Sequence, residues 1–124
     1  MKRLILGLAL VAAVTAACSG GGAPATGGTA TVTAGGSVTI VAKDNKFLTT
    51  SITAPADAAF GIELDNQDSA PHNIAVSDAS GASVFRGEIV SATKVANAIP
   101  ALAAGSYPFI CEVHPDMKGT ITAE

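Results

Sequence analysis

The sequence predicts an all-β fold, and two kinds of pattern support this prediction. Apolar and polar residues alternate with a period of two over residues 38–42 and 60–64, which is typical of half-buried strands. Clusters of turn-forming residues at 35–36, 65–69 and 80–81 separate such segments. No stretch of twelve or more residues carries a helical apolar stripe. Short strands at this spacing indicate a sandwich or a barrel.

The second half of the chain supplies further candidate strands, at residues 72–76, 94–99, 107–111 and 120–122. Tyr107, Phe109 and Cys111 share one face by alternation, and we expect Tyr107 and Phe109 to pack in the core. Pro108 lies inside this strand and cannot donate a ladder hydrogen bond. It is therefore expected at an outward-facing position, at an edge or in a bulge.

The N-terminal segment has the features of a secretory signal. Lys2 and Arg3 precede a fourteen-residue apolar run that ends in small residues before Cys18. Because spanning a bilayer takes about 20 apolar residues, residues 1–17 are interpreted as a signal peptide rather than a transmembrane helix. The segment resembles the lipobox of bacterial lipoproteins, although Thr15 stands where that pattern usually has leucine. The resemblance implies a lipidated Cys18, and the alternative is an ordinary signal peptide that contains a cysteine.

A tether and one domain are predicted to follow the signal. Residues 18–29 are rich in Gly and Ala and behave as a flexible linker. Residues 30–124 then form the folded domain, which is expected to be exported, monomeric and held at a membrane on its periplasmic or outer side. Lipidation of Cys18 would leave Cys111 as the only thiol of this domain, without a disulfide partner.

The charge balance excludes one class of partner. The chain carries 7 basic and 10 acidic side chains, a net charge of −3, and removal of Lys2 and Arg3 makes the mature chain more acidic. Nucleic-acid binding is not expected, because it would need a basic face.

The C-terminal segment contains a ligand set that suits copper. Cys111, His114 and Met117 lie at intervals of three residues, and His72 is the only other histidine of the chain. Two imidazoles and a thiolate in a plane, with a weak thioether above, form the blue-copper arrangement. Structural zinc wants four strong donors, and methionine is a poor one. The sequence therefore predicts one mononuclear type 1 copper bound by His72, Cys111, His114 and Met117.

These two segments, residues 68–73 and 105–119, resemble the cupredoxin family of blue copper proteins, which includes the plastocyanins. The Cys-x-x-His-x-x-Met spacing is most similar to that of the amicyanins and pseudoazurins. The resemblance implies a Greek-key β-sandwich of about eight strands with copper at one end. In the family, an Asn after the first histidine ties the ligand loops together, often through a Ser or Thr that follows the cysteine. Asn73 is present, but Glu112 takes the other position, so a tie through the backbone alone is expected.

The predicted function is a membrane-tethered one-electron carrier that cycles Cu(II) and Cu(I) and serves redox partner proteins. The alternative is an exported copper-binding protein for trafficking or storage. An enzyme is not expected, because no histidines remain for a second copper centre. His114 is the predicted electron exit, with Ala70, Pro71 and Pro115 as an apolar docking patch. Glu112 and Asp116 are expected to be solvated, and Phe85, Arg86 and Glu88 to lie in an irregular connection.

Overall fold

Ten strands in two sheets make up the computed structural model, which describes residues 27–124. The strands are β1 (Gly28–Thr31), β2 (Ser37–Lys43), β3 (Lys46–Phe47), β4 (Thr49–Ala54), β5 (Phe60–Asn66), β6 (Ala75–Ser77), β7 (Ser83–Arg86), β8 (Lys94–Ile99), β9 (Gly105–Ile110) and β10 (Lys118–Ala123). The described residues contain no helix, so the all-β prediction is confirmed. The predicted signal peptide, Cys18 and most of the tether lie outside the described residues.

Both sheets mix parallel and antiparallel pairs. The larger sheet has the order β1-β4-β10-β9-β6-β7, and the smaller has the order β3-β2-β5-β8. Strand β4 runs parallel to both of its neighbours, and β2 runs parallel to β5. The hairpin β9–β10 is antiparallel and lies in the middle of the larger sheet. This hairpin carries the predicted ligand loop at its turn.

The core lies between the two sheets and follows the period of two. Along β5 the residues that alternate inward are buried, as the sequence predicts. Phe47 of the smaller sheet meets Phe109 of the larger one, with ring centroids 5.6 Å apart. Tyr107 is half-buried against the same core, and its hydroxyl donates to the Ala103 carbonyl at 2.9 Å. The packing role predicted for Tyr107 and Phe109 is thus confirmed.

Pro108 occupies the outward-facing position predicted for it. Its side chain is exposed. The pairing of β9 with β6 covers only Phe109 and Ile110, so the ladder on that side has already ended at Pro108. The missing N–H therefore interrupts no pairing with β6.

The strand count is ten rather than about eight. Four strands fell outside the predicted segments, and they are β1, β3, β4 and β7. Phe85 and Arg86 lie in β7, so the expectation of an irregular connection there was wrong for these two residues. Strand β1 begins at Gly28, two residues before the predicted start of the domain. Across residues 27–124 there is no helix of the length and apolarity that a membrane crossing needs.

Candidate metal centre

Three of the predicted ligands converge at the end of the sandwich where β9 terminates. One donor atom from each of His72, Cys111 and His114 lies within 4.8 Å of the others. The Nδ1 atoms of the two histidines are 3.2 Å apart, and Cys111 Sγ is 3.6 Å from His72 Nδ1. His72 and Cys111 are fully buried, whereas His114 is half-buried.

These separations fit a single metal ion. Nitrogen and sulfur donors about 2.0–2.3 Å from a metal, at about 120° to each other, are roughly 3.5 Å apart. Both histidines present the same ring atom, Nδ1, to the shared point, and a thiol completes the plane. Two imidazoles and a thiolate arranged in this way suit copper.

Met117 is brought to the same end by the backbone of the loop. The Cys111 N–H donates to the Met117 carbonyl at 2.9 Å, and the Met117 N–H donates to the His114 carbonyl at 2.8 Å. Met117 therefore lies opposite Cys111 in the continuing β9–β10 ladder, and its side chain is buried. Residues that face each other in this way have Cβ atoms about 4.5–5.5 Å apart, within reach of a long side chain.

Gly119 lies in β10 just after this loop, and the structure shows why a glycine is needed there. A Cβ at this position would collide with the Phe109 ring and would lie 2.6 Å from the Thr50 carbonyl oxygen. Gly119 is not among the glycines with positive φ. The requirement is close approach of β10 to its neighbours, and not a left-handed backbone.

His72 is fixed by its backbone and by its ring. Its N–H donates to the Val90 carbonyl at 2.9 Å, and its carbonyl accepts from the Val90 N–H at 3.0 Å. Its Nε2 lies 3.0 Å from Asp68 Oδ2. When Nε2 carries the proton and donates to this carboxylate, Nδ1 is left with a free lone pair toward the predicted metal.

The carboxylate of Asp68 is in turn held by the β2–β3 hairpin. The N–H groups of Asp44 and Asn45 donate to its two oxygens at 2.8 and 2.9 Å. Both turn residues have φ of 54°, the left-handed conformation of a two-residue type I′ hairpin. Burial alone raises the pKa of Asp68, but hydrogen bonds from Asn45, His72 and Asp44 outweigh it and lower the pKa overall. Asp68 is therefore ionised at neutral pH.

Asn66, at the end of β5, organises the segment that leads to His72. Its buried side-chain amide donates to the carbonyls of Ala70 and Val90 at 2.9 and 2.8 Å. Its Oδ1 accepts from the Asp68 N–H at 2.9 Å. The Asn66 side chain thus fixes Asp68, which contacts the His72 ring, and Val90, which pairs with the His72 backbone.

The tie between the two ligand segments is more extensive than the expected backbone contact. The Glu112 N–H does donate to Asn73 Oδ1 at 2.9 Å. In addition, Asn73 Nδ2 donates to Glu112 Oε2 at 2.7 Å, and Arg86 Nε donates to the same oxygen at 2.7 Å. The expectation of a backbone-only tie was therefore wrong, because the longer glutamate side chain reaches back to the asparagine. The hydrogen bond from Asn73, and then that from Arg86, lower the pKa of Glu112.

The surface around His114 is partly apolar. Pro71 and Pro115 are exposed and Ala70 is half-buried. Two large apolar side chains are also unusually exposed: Val113 by 39% and Ile89 by 48%. Val113 adjoins His114, and Ile89 precedes Val90, whose backbone forms an isolated β-bridge with His72. The predicted patch therefore has two further candidate members.

Sequence reasoning found the four candidate ligands but missed the groups that support them. Asp68 had a usable signal, because a carboxylate near a candidate histidine ligand in the sequence is a candidate acceptor for the second ring nitrogen. Arg86 carried no local signal, since its partner Glu112 is 26 positions away. Asn66 contacts Ala70 and Asp68 close by, but its second amide hydrogen bond reaches Val90, 24 positions away.

Comparisons with known proteins agree with this architecture. The family model of the cupredoxin-like domain matches residues 5–123. Amicyanin from Paracoccus versutus is 35% identical over 80 residues, which cover 64% of this chain and 58% of that protein. The crystal structure of amicyanin from the same organism superposes with a TM-score of 0.57 and 31% identity, covering 71% of this chain and 81% of that one.

A variant of amicyanin in its Cu(I) form also matches, with a TM-score of 0.57 over 71% of this chain and 82% of that one. At 19% identity this last likeness bears on the fold alone. Because the family model spans nearly the whole sequence, the chain belongs to the cupredoxin-like domain family. Its all-β sandwich and its convergent donor atoms agree with that membership, and the donor set fits one copper ion.

Proposed function

We propose that this protein is a one-electron carrier in which His72, Cys111, His114 and Met117 hold one type 1 copper ion. The observation that carries the proposal is the convergence of two Nδ1 atoms and one thiol sulfur on a single point at the end of the sandwich. The similarity to amicyanin supports the same conclusion. When bound, copper supplies the one-electron couple between Cu(II) and Cu(I).

The residues of the chain hold their positions through contacts that do not involve a metal. His72 is fixed by Val90 and Asp68, and Cys111 is fixed by its pairing with Met117. A frame built in this way keeps the donors in place when the charge at the centre changes, so that little reorganisation accompanies electron transfer. Four donors also leave no position for a substrate, which favours a carrier over an enzyme.

His114 is the proposed route for the electron, because it is the one histidine of the site that reaches the surface. Ala70, Pro71 and Pro115 form the proposed docking patch, extended by Val113 and Ile89. A small apolar patch of this kind suits the weak, short-lived encounters of redox partners, which bury less than about 1,200 Å².

Export and tethering complete the proposal. The basic start, apolar run and Cys18 indicate a lipoprotein signal over residues 1–17, and residues 18–29 form the tether. A diacylglycerol on Cys18 would hold the domain, residues 30–124, at a membrane facing the periplasm or the outside. The protein acts there as a monomer.

Voltammetry combined with a copper challenge tests the proposed function. An electron carrier gives a reversible one-electron wave and keeps its copper in the presence of a modest Cu(I) chelator, because three of the four proposed donor residues, His72, Cys111 and Met117, are buried. Rapid loss of copper to that chelator, with an irreversible wave, would contradict the proposal and favour the alternative of trafficking or storage.

A further inference from the structure

The carboxylate of Glu112 joins three segments at the base of the candidate metal centre. It follows Cys111 directly, accepts from Asn73, which follows His72, and accepts from Arg86 of β7. Asn73 is fully buried and also donates to the Gly87 carbonyl at 3.2 Å. The segments that carry His72 and Cys111 are therefore linked to each other and to the edge strand of the larger sheet through one side chain.

We propose that Glu112, with Arg86 as its counter-ion, is a positioning residue that locks the Cys111 loop onto the His72 segment, and that the two charges of the pair shift the reduction potential in opposite directions. This inference rests on the proposed function, since it concerns the same copper site. Glu112 and Arg86 act through the ligands' neighbours and do not themselves bind the metal.

The positioning role follows from the pattern of hydrogen bonds. The Glu112 N–H donates to Asn73 Oδ1 at 2.9 Å, and the Glu112 carboxylate accepts from Nδ2 of the same side-chain amide at 2.7 Å. A Ser or Thr side chain at this position would be shorter and uncharged. The carboxylate can therefore engage Asn73 and the Arg86 guanidinium on the same oxygen, and charge-assisted bonds of this kind are the stronger ones.

The electrostatic role follows from the charge of the two copper states. A negative charge near the centre favours Cu(II) over Cu(I), because Cu(II) carries one more positive charge, and so it lowers the reduction potential. The Arg86 guanidinium offsets that charge. Solvent weakens both effects, since the side chains of Arg86 and Glu112 are 67% and 31% exposed.

Opposite shifts of the potential are therefore expected from the two partners. Glu112→Gln keeps an oxygen for Asn73 but removes the charge, so it raises the potential. Arg86→Met leaves the carboxylate uncompensated, so it lowers the potential. We expect about a threefold change in the ratio of Cu(II) to Cu(I) affinities for each variant, where tenfold corresponds to about 59 mV. The double variant returns most of the way to the parent value.

Two controls separate this role from a general effect of charge or of folding. Asp116→Asn removes an exposed carboxylate from the same loop, and a smaller shift is expected. Glu112→Ala removes the side-chain hydrogen bonds to Asn73 and Arg86 as well as the charge, and keeps only the backbone N–H bond to Asn73. In the metal-free protein it should speed hydrogen exchange of the residue-112 amide about tenfold or more, whereas Glu112→Gln should leave that exchange nearly unchanged.

The experiment is voltammetry of the intact copper-loaded protein and its variants, together with amide exchange of the same proteins without metal. Opposed shifts larger than that of Asp116→Asn, with faster exchange only in Glu112→Ala, support the proposal. Shifts of one sign, shifts no larger than the control, or equal exchange in both Glu112 variants would overturn it. If the parent protein forms no blue site, the proposed function and the role in the potential both fail, while the exchange measurement still decides the positioning role.

Discussion

The two histidines of the candidate metal centre lie in contrasting surroundings. His72 is fully buried, its backbone is paired with Val90 in both directions, and its ring is held by Asp68. His114 lies on a half-exposed loop, and its Nδ1 faces His72 Nδ1 at 3.2 Å. One candidate ligand, His72, therefore belongs to the frame of the sandwich, and the other, His114, belongs to its surface. A carrier needs both, since the frame limits reorganisation and the surface loop gives access.

The contrast originates in the strands that precede each histidine. His72 follows β5, whose end is organised by the buried side chain of Asn66. His114 sits in the turn of the β9–β10 hairpin, where the loop's own backbone bonds and the Asn73–Glu112 tie restrain it. Removal of the His72 side chain and removal of the His114 side chain should therefore affect the copper site differently.

Replacement of each histidine by glycine should give the largest difference between the two ligands. His114→Gly opens a hole at the surface that free imidazole can enter, so added imidazole should restore the intense colour of the copper-loaded protein. His72→Gly leaves a buried hole behind Asp68 that imidazole cannot reach from solvent. Visible absorption with and without imidazole checks both variants. Equal rescue of both would refute the assignment of His72 to the buried frame and of His114 to the surface loop.

Loss of the support behind His72 should have the next largest effect. In Asp68→Asn the side chain keeps its size but loses the charge that fixes the Nε2–H tautomer. Loss of such an outer partner typically costs 10–100-fold in metal affinity, and we expect a change of about that size. Asp116→Asn, on the exposed loop, serves as the matched control and should change copper affinity little. Competition titration with a Cu(II) chelator gives both values, and similar losses in the two variants would count against the special role of Asp68.

The smallest effect, a small change in the stability of the metal-free protein, is expected from replacing Asp78, a carboxylate far from both histidines. Asp78 lies beside Gly105 and Tyr107, at the start of β9 and away from Cys111. Its pKa is lowered from the ordinary value of 3.8 by the Ser80 hydroxyl and then by the Ala82 N–H. Because the folded-state pKa is depressed, its contribution to stability is fully present above 3.8 and is lost as the pH falls through the lowered value.

Denaturant unfolding of the metal-free protein from about pH 6 to about pH 2 checks this prediction. The parent protein should be slightly more stable than Asp78→Asn at the upper end, and the difference should vanish at the acid end. If the difference in unfolding free energy between the parent and Asp78→Asn grew toward acid pH, the prediction would be contradicted.

Sequence reasoning was most successful where the signal was local. The alternation in β2 and β5 predicted strands that the structure contains, and the spacing from Cys111 to Met117 predicted a loop that the backbone closes on itself. It failed for β4, whose sequence Thr-Thr-Ser-Ile-Thr-Ala buries only Ile52 and Ala54. That strand depends on parallel pairing with β1 and β10, which no short sequence window reports.

The support of the site was hidden for the same reason. Glu112 is exposed, as expected, but its hydrogen bonds were not foreseen because its two partners, Asn73 and Arg86, are 39 and 26 residues away. The turn at Asp44 and Asn45 is recognisable as a pair that tolerates positive φ, but its contact with Asp68 is a product of the folded sandwich. Ligands can be read from residue type and spacing, whereas the groups that orient them require the fold.

Visible absorption of the purified protein with one equivalent of Cu(II) tests whether these residues form a type 1 copper site. Trigonal ligation by His72, His114 and the Cys111 thiolate predicts an intense band near about 600 nm that disappears in Cys111→Ser. A pale protein with an ordinary tetragonal copper spectrum, or a band that survives in Cys111→Ser, would contradict the account.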